Sequence, residues 1–280
     1  IQTIKWGDDG SEKQSSSVVA SITGVIFTML IYMFIMIYGA MVMQGVMEEK
    51  TNRIIEIMIS SVKPFDLMMG KIIGIGFVGL TQVFLWAVMT FILITGGTFF
   101  LGGGMESEIL QSSMALNTTP NMTAIAAQQH GNEWIEMLHT INFTEIGILF
   151  IAYFIGGYLL YSSLFAAIGS AVDSQEDTQQ FMLPVTLLLV FALYAGIYSM
   201  ENPDGPLAFW CSMIPFTSPI VMMVRVPFEV PLWEILLSIG FLYISSIGFT
   251  WFSAKIYRVG ILMYGKKPSI KEMSKWLRYK

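Results

Sequence analysis

Three stretches of this chain carry residue types at spacings that proteins use for chemistry. "GIGFVG" (74–79) fits the dinucleotide fingerprint G-x-G-x-x-G letter for letter. That fingerprint works because its glycines let backbone approach a pyrophosphate at a helix N-terminus, between a strand and a helix. Here it lies inside a long apolar run with no strand before it and no acidic ribose partner in context. The glycines read instead as close helix packing, with Gly70 and Gly74 as a small-xxx-small pair. "GILMYGKK" (260–267) falls one residue short of a phosphate-binding P-loop, because Lys267 stands where Ser or Thr would hold magnesium. It too follows an apolar segment rather than a strand, so nucleotide chemistry is not placed on this chain. "HGNEWIEMLH" (130–139) brings together His130, Glu133, Glu136 and His139, but without the H-E-x-x-H spacing that puts two imidazoles on one helix face. It reads as a solvated external helix burying Trp134 and Leu138. Sequons at Asn117, Asn121 and Asn142 would matter only in a secretory pathway. No catalytic residue and no metal set emerges.

A fourth stretch carries charge rather than a motif. "EEKTNRIIEIMISSVKPFDLMMGK" (48–71) holds eight charges between two apolar segments. Met47, Ile54, Ile55, Met58 and Val62 form one stripe at helical spacing, while Glu49, Arg53 and Glu56 lie on another face. Glu49 and Arg53 are spaced as an i,i+4 pair. Pro64 is expected to stop the helix, with Lys63 near its C-terminal dipole. An amphipathic helix resting on lipid headgroups would have a basic polar face. This one is mixed in sign, which suits a protein partner better.

The elements around these residues are dictated by composition. Of 280 residues, 54% are hydrophobic and only 12% charged, against about 25% charged in a soluble domain. That balance predicts an integral membrane protein. Crossing a bilayer takes roughly 20 apolar residues as helix. Five segments qualify: 18–43, 72–95, 146–172, 181–200 and 235–254. Backbone groups cannot go unpaired in lipid, so the spans are helices, and no alternating pattern suggests a barrel. Lys50, Arg53, Lys63 and Lys71 lie in the 44–71 connection and eight more basic residues follow from Lys255, whereas 96–144 holds none and 201–234 only Arg225. The positive-inside rule then places 44–71, the loop 173–180 and the C-terminus in the cytoplasm, at a cell inner (plasma) membrane. Residues 1–17 end an extracytoplasmic region and 259–280 form a basic cytoplasmic tail. An exported N-terminus implies a preceding helix, six in the full protein. The segment 201–231, broken by Pro203, Pro206, Pro215, Pro219, Pro227 and Pro231, predicts short helices re-entering the outer leaflet under protein cover. The lone Cys211 excludes an internal disulfide.

"GVMEEKTNRIIEIMISSVKPFDLMMGKIIG", with "TQVFLW", "SAVDSQEDTQQFMLP" and "IPFTSPIVMMVRVP" in order after it, resembles the ABC-2 type exporter permeases, most closely their sodium-efflux branch. The resemblance spans 18–258, taken as the transmembrane domain. It implies six helices, re-entrant helices before the last span, and a cytoplasmic coupling segment that touches a separate ABC ATPase subunit. Carried onto this chain, Glu48, Glu49, Lys50, Arg53 and Glu56 face that ATPase, which binds the ATP and magnesium. This chain itself is then no enzyme and needs no cofactor. A second permease copy or homologue is implied, because one transporter pairs two membrane halves; nucleic acid is not a partner.

The residues add an argument about energy. No span carries an ionisable residue in its middle, although ion-coupled carriers keep such groups as relays. The chain therefore draws energy from outside itself or needs none. The 21 methionines include "MFIMIYGAMVMQGVM", a soft surface on which Met36 and Met43 are candidates for a hydrophobic substrate pathway. Arg225 is expected to snorkel to outer headgroups or line the exit. The reading is a transmembrane permease subunit of an ATP-driven exporter, moving sodium or a hydrophobic compound. The alternative is a membrane scaffold or sensor that transports nothing.

Overall fold

The computed structural model describes residues 16–52, 62–97 and 143–263, and all regular structure among them is helical. Among the described residues five helices are long and apolar enough to cross a membrane: α1 (Ser16–Thr51), α2 (Pro64–Gly97), α3 (Phe143–Ala171), α4 (Gln175–Glu201) and α7 (Leu232–Gly260). Between α4 and α7 lie α5 (Pro206–Met213), α6 (Ser218–Arg225) and a 3-10 turn, Val226–Phe228. The N-terminal stretch 1–15, the sequons and "HGNEWIEMLH" within 98–142, and the tail 264–280 lie outside the described residues.

Every spanning helix outruns the apolar window that predicted it. α1 continues eight residues past Met43 and α2 begins eight residues before Ile72. Hydropathy sees the hydrocarbon core, whereas Glu, Lys, Gln and Met beyond it are good helix formers and extend the same hydrogen-bond ladder. At 36 residues, α1 is about 54 Å long, so its charged end lies beyond an apolar layer of about 30 Å. Pro64 opens α2, where its missing N–H is no loss at the first helical position; the helix it was expected to stop lies outside the described residues. The expected loop 173–180 is mostly the opening of α4. Ser174 caps it by accepting from the Asp177 N–H at 3.2 Å, and Glu176 and Asp177 sit favourably at the positive end of the helix dipole.

The first compact unit comprises 1–76 and 142–280; the second, 77–141, contributes to the described structure only the apolar second half of α2. Within the first unit, α1 and α7 flank α3 and run parallel to it. Phe27 meets Phe150, Phe34 meets Phe154 and Gly169 abuts Met43 along α1. Tyr153 donates to the Ile235 carbonyl, Gly156 abuts Leu242 and Gly260 abuts Ser170 along α7. α4 and the first half of α2 run the other way, since Thr178 touches Met47 and Lys71 meets Glu49.

Glycine permits the closest crossings. A Cβ at Gly169 would stand 2.6 Å from the Met43 carbonyl, and one at Gly24 2.8 Å from that of Val224. Gly70 and Gly74, expected to pack closely, have open space around them among the described residues; Gly76 takes that role, against Tyr158. The close approach thus falls not on the Gly70–Gly74 pair but on Gly76, two residues beyond it and on another face of the helix.

The proline-broken segment forms short helices, as expected. Pro206, Pro219 and Pro227 each sit in the first two positions of their element. All eight residues of α6 are buried. Thr28 of α1 donates to the Ile220 carbonyl at 3.0 Å, and Ala195 of α4 clusters with Cys211 and Val221. Protein therefore covers its backbone, the condition on which irregular structure is tolerated at membrane depth.

Candidate functional site: the charged end of the bundle

Three connections gather at one end of the first unit: the close of α1, the α3–α4 turn and the end of α7. Their junction is built from consecutive residues on α1. Neighbours on a helix point about 100° apart, so Glu48, Glu49 and Lys50 face three directions. Glu48 is exposed. Glu49 accepts an ion pair from Lys71 of α2 at 2.7 Å. The Lys71 stem lies along Gly45, where a Cβ would stand 3.2 Å from Nζ. Lys50 points into the protein and is 1% exposed. Its ammonium donates to the Ser170 carbonyl at 2.7 Å and pairs with Asp173 at 2.7 Å. Ser170 is in the last turn of α3, whose carbonyls have no partner within the helix and carry the negative end of its dipole. Lys50 thus caps α3 from a different helix and ties the α3–α4 turn to α1.

Two hydroxyls complete the junction. Ser253 and Tyr257, one turn apart on α7, are fully buried. Neither Ser253 Oγ nor Tyr257 Oη has a hydrogen-bond partner among the described residues.

Over residues 2–255 the chain matches the family described as "ABC-2 family transporter protein". It belongs to the ABC-2 transporter family. The uncharacterized protein YhaP of Bacillus subtilis (strain 168) is 31% identical over 99% of this chain and 59% of its own length. The uncharacterized protein MJ1024 of Methanocaldococcus jannaschii is 26% identical over 89% of this chain and 52% of its own. The ABC-2 chain thus spans between half and three-fifths of these curated relatives. No solved structure matches it. Family and apolar helices together make it a multi-pass membrane protein.

Of the residues expected to face an ATPase, Glu48 is open to solvent, Glu49 is engaged with Lys71 and Lys50 is buried within the ABC-2 chain. Glu49 has Lys71 as a partner, and the i,i+4 pairing read for it with Arg53 lies outside the described residues. Arg53 and Glu56 lie outside the described residues, as does most of the amphipathic stripe. Lys71, Ser170, Asp173 and Tyr257 were not singled out. A usable signal existed for two of them: Lys71 and Asp173 are charges at the same end of successive spans as Glu49 and Lys50, with the opposite sign.

Met36 is half-buried on α1, and Met43 is fully buried where α3 presses on its backbone. Arg225 corrects its expectation. It does not snorkel; it is 1% exposed. Its Nε donates to the Pro203 carbonyl at 2.8 Å, one terminal nitrogen to Ser212 Oγ at 2.7 Å, and the other pairs with Glu234 at 2.8 Å. Ser238 links the same group, donating to the Ser212 carbonyl at 2.6 Å and contacting Ser218 at 2.8 Å. A guanidinium with rigid, spread donors can serve several partners at once, and here it fastens α5 and α6 to the first turn of α7. At this end burial also pushes the Cys211 thiol pKa up.

Proposed function

We propose that this chain is the transmembrane subunit of an ATP-driven exporter, working beside a separate ABC ATPase that binds ATP and magnesium. The observation that carries the reading is the charged junction: α1, the α3–α4 turn and α2 are tied by Lys50–Asp173 and Glu49–Lys71. A partner pressing on the 52–63 connection would move these elements together. Family membership supports the same reading. The Lys and Arg asymmetry of the sequence puts this end, with the C-terminus, in the cytoplasm. Two copies would supply the two membrane halves of one transporter. Sodium or an apolar compound is the proposed cargo, the first from the resemblance to sodium-efflux permeases, the second from the methionine-rich α1.

Purification of the native protein from membranes, followed by an ATP-hydrolysis assay of what accompanies it, tests the reading. The expected result is an ABC ATPase in stoichiometric amount. Recovery of the protein with no ATPase activity would point to a scaffold or sensor. Proteoliposomes loaded with radioactive sodium then decide the cargo: ATP-dependent movement of the label supports sodium, and none leaves the apolar compound.

A further inference from the structure

We infer that Glu49 is a two-position carboxylate, holding Lys71 of α2 in the conformation seen and accepting a hydrogen bond from Tyr257 of α7 in another conformation of the transport cycle. The inference rests on the transport reading for its purpose, though not for its geometry. Tyr257 is the anomaly that motivates it. A phenol this deeply buried normally has a partner, and an unmade bond is a cost carried by the folded state. Among the described residues its hydroxyl is a donor with nothing to donate to. One turn beyond it, Gly260 abuts Ser170, which holds Lys50, the neighbour of Glu49. Tyr257 therefore lies at the level of the charged junction, within electrostatic reach of Glu49. Glu49 Oε2 is itself buried and, among the described residues, is held through the ammonium of Lys71. A carboxylate offers about four lone-pair positions, so it has room for a second donor.

The two positions have different mechanical consequences. With Lys71 engaged, Glu49 ties α1 to α2. If the 52–63 connection carries α2 away, the carboxylate loses its cation but is not left bare, because Tyr257 can take it. α1 is then tied to α7, so movement at the connection is passed to a span that Lys71 never touches. No proton is transferred: the phenol keeps its hydrogen in both positions.

The test uses the permease in nanodiscs with 3-fluorotyrosine incorporated and the position-257 signal assigned by its loss in Tyr257→Phe. In the unaltered protein the signal should report a phenol without a carboxylate partner. Lys71→Met should move it to the bonded position, and adding Glu49→Ala should move it back. Lys71→Gln serves if the Met variant does not fold. A signal that ignores Lys71, or is already bonded beforehand, would overturn the inference. This arm needs no ATPase. In the complex with its ATPase, Tyr257→Phe should keep the thermal midpoint of the permease or raise it, since no existing bond is lost. It should slow coupled ATP turnover about tenfold, the value of a hydrogen bond to a charge. Unchanged turnover would overturn the role in the cycle. Failure to find any ATPase, with the fluorine signal moving as expected, would remove the exporter reading and leave the switch.

Discussion

Glu48 and Lys50, two residues apart, place opposite charges in opposite settings. Glu48 is exposed, and exposed charges contribute within about 1 kcal/mol to folding. Lys50 is buried with two anionic or carbonyl partners. Lys50→Met is expected to destabilise the permease by about 2 kcal/mol, the value of hydrogen bonds to a charge, since the partly exposed Asp173 can rehydrate. Glu48→Lys is expected to leave folding unchanged while weakening capture of the ATPase. Thermal unfolding in detergent and co-purification read the two effects, and a destabilised Glu48→Lys with an intact Lys50→Met would reverse the assignment. Sequence alone gave these charges but not their directions. Residues one apart on a helix look alike in a list, and only the packing of α3 and α2 decides which of them is buried. Cys211 makes a second test at this scale. A raised thiol pKa means less thiolate at neutral pH, and the thiolate is what reacts. Maleimide labelling of this single cysteine should be slow at pH 7 and climb at a higher pH than for an open thiol. A rate matching a model thiol across the range would contradict the burial.

Among the elements, the glycines separate packing from mere spacing. Gly169→Ala brings a methyl to 2.6 Å of a backbone carbonyl that cannot rotate aside, and overpacking of this kind costs about 1–3 kcal/mol. Gly70→Ala and Gly74→Ala point into open space and should be neutral or slightly stabilising, since Ala is the better helix former by up to about 1 kcal/mol. Unfolding midpoints of the three variants should rank accordingly; equal losses would mean that the α1–α3 crossing is looser than it looks. The number, order and type of the spanning helices were legible because apolar length is a direct demand of the bilayer. The prolines of 201–231 likewise announced short helices, and Pro206, Pro219 and Pro227 sit where a helix can begin. The ends were not legible. Hydropathy stops where the apolar layer stops, while the α1 ladder runs on to Thr51 and the Ser174 cap turns a presumed loop into the start of α4.

At the scale of the molecule, the helix directions make a claim about sides that does not depend on charge. Asn52, at the close of α1, and Ser174, in the α3–α4 turn, lie at one end, and Asn202, at the close of α4, lies at the other; all three are exposed. In a Cys211→Ser background, cysteines at Asn52 and Ser174 should be labelled from the same face of a sealed vesicle and one at Asn202 from the opposite face. Shared labelling of Ser174 and Asn202 would break the arrangement of α4. Which face is cytoplasmic is then read by comparing inverted with right-side-out vesicles. The parallel course of α1 and its contact with α6 also bear on how the protein is made. Thr28 finds its acceptor at Ile220, 192 positions later in the chain. At a synthesis rate of about 5–20 residues per second, the ribosome needs about 10–40 s to deliver that partner. Throughout that interval the inner face of α1 has left the translation machinery without the backbone it is shaped to meet. A nascent α1 must therefore borrow its neighbours, from lipid or from an insertase, and return them when α6 arrives.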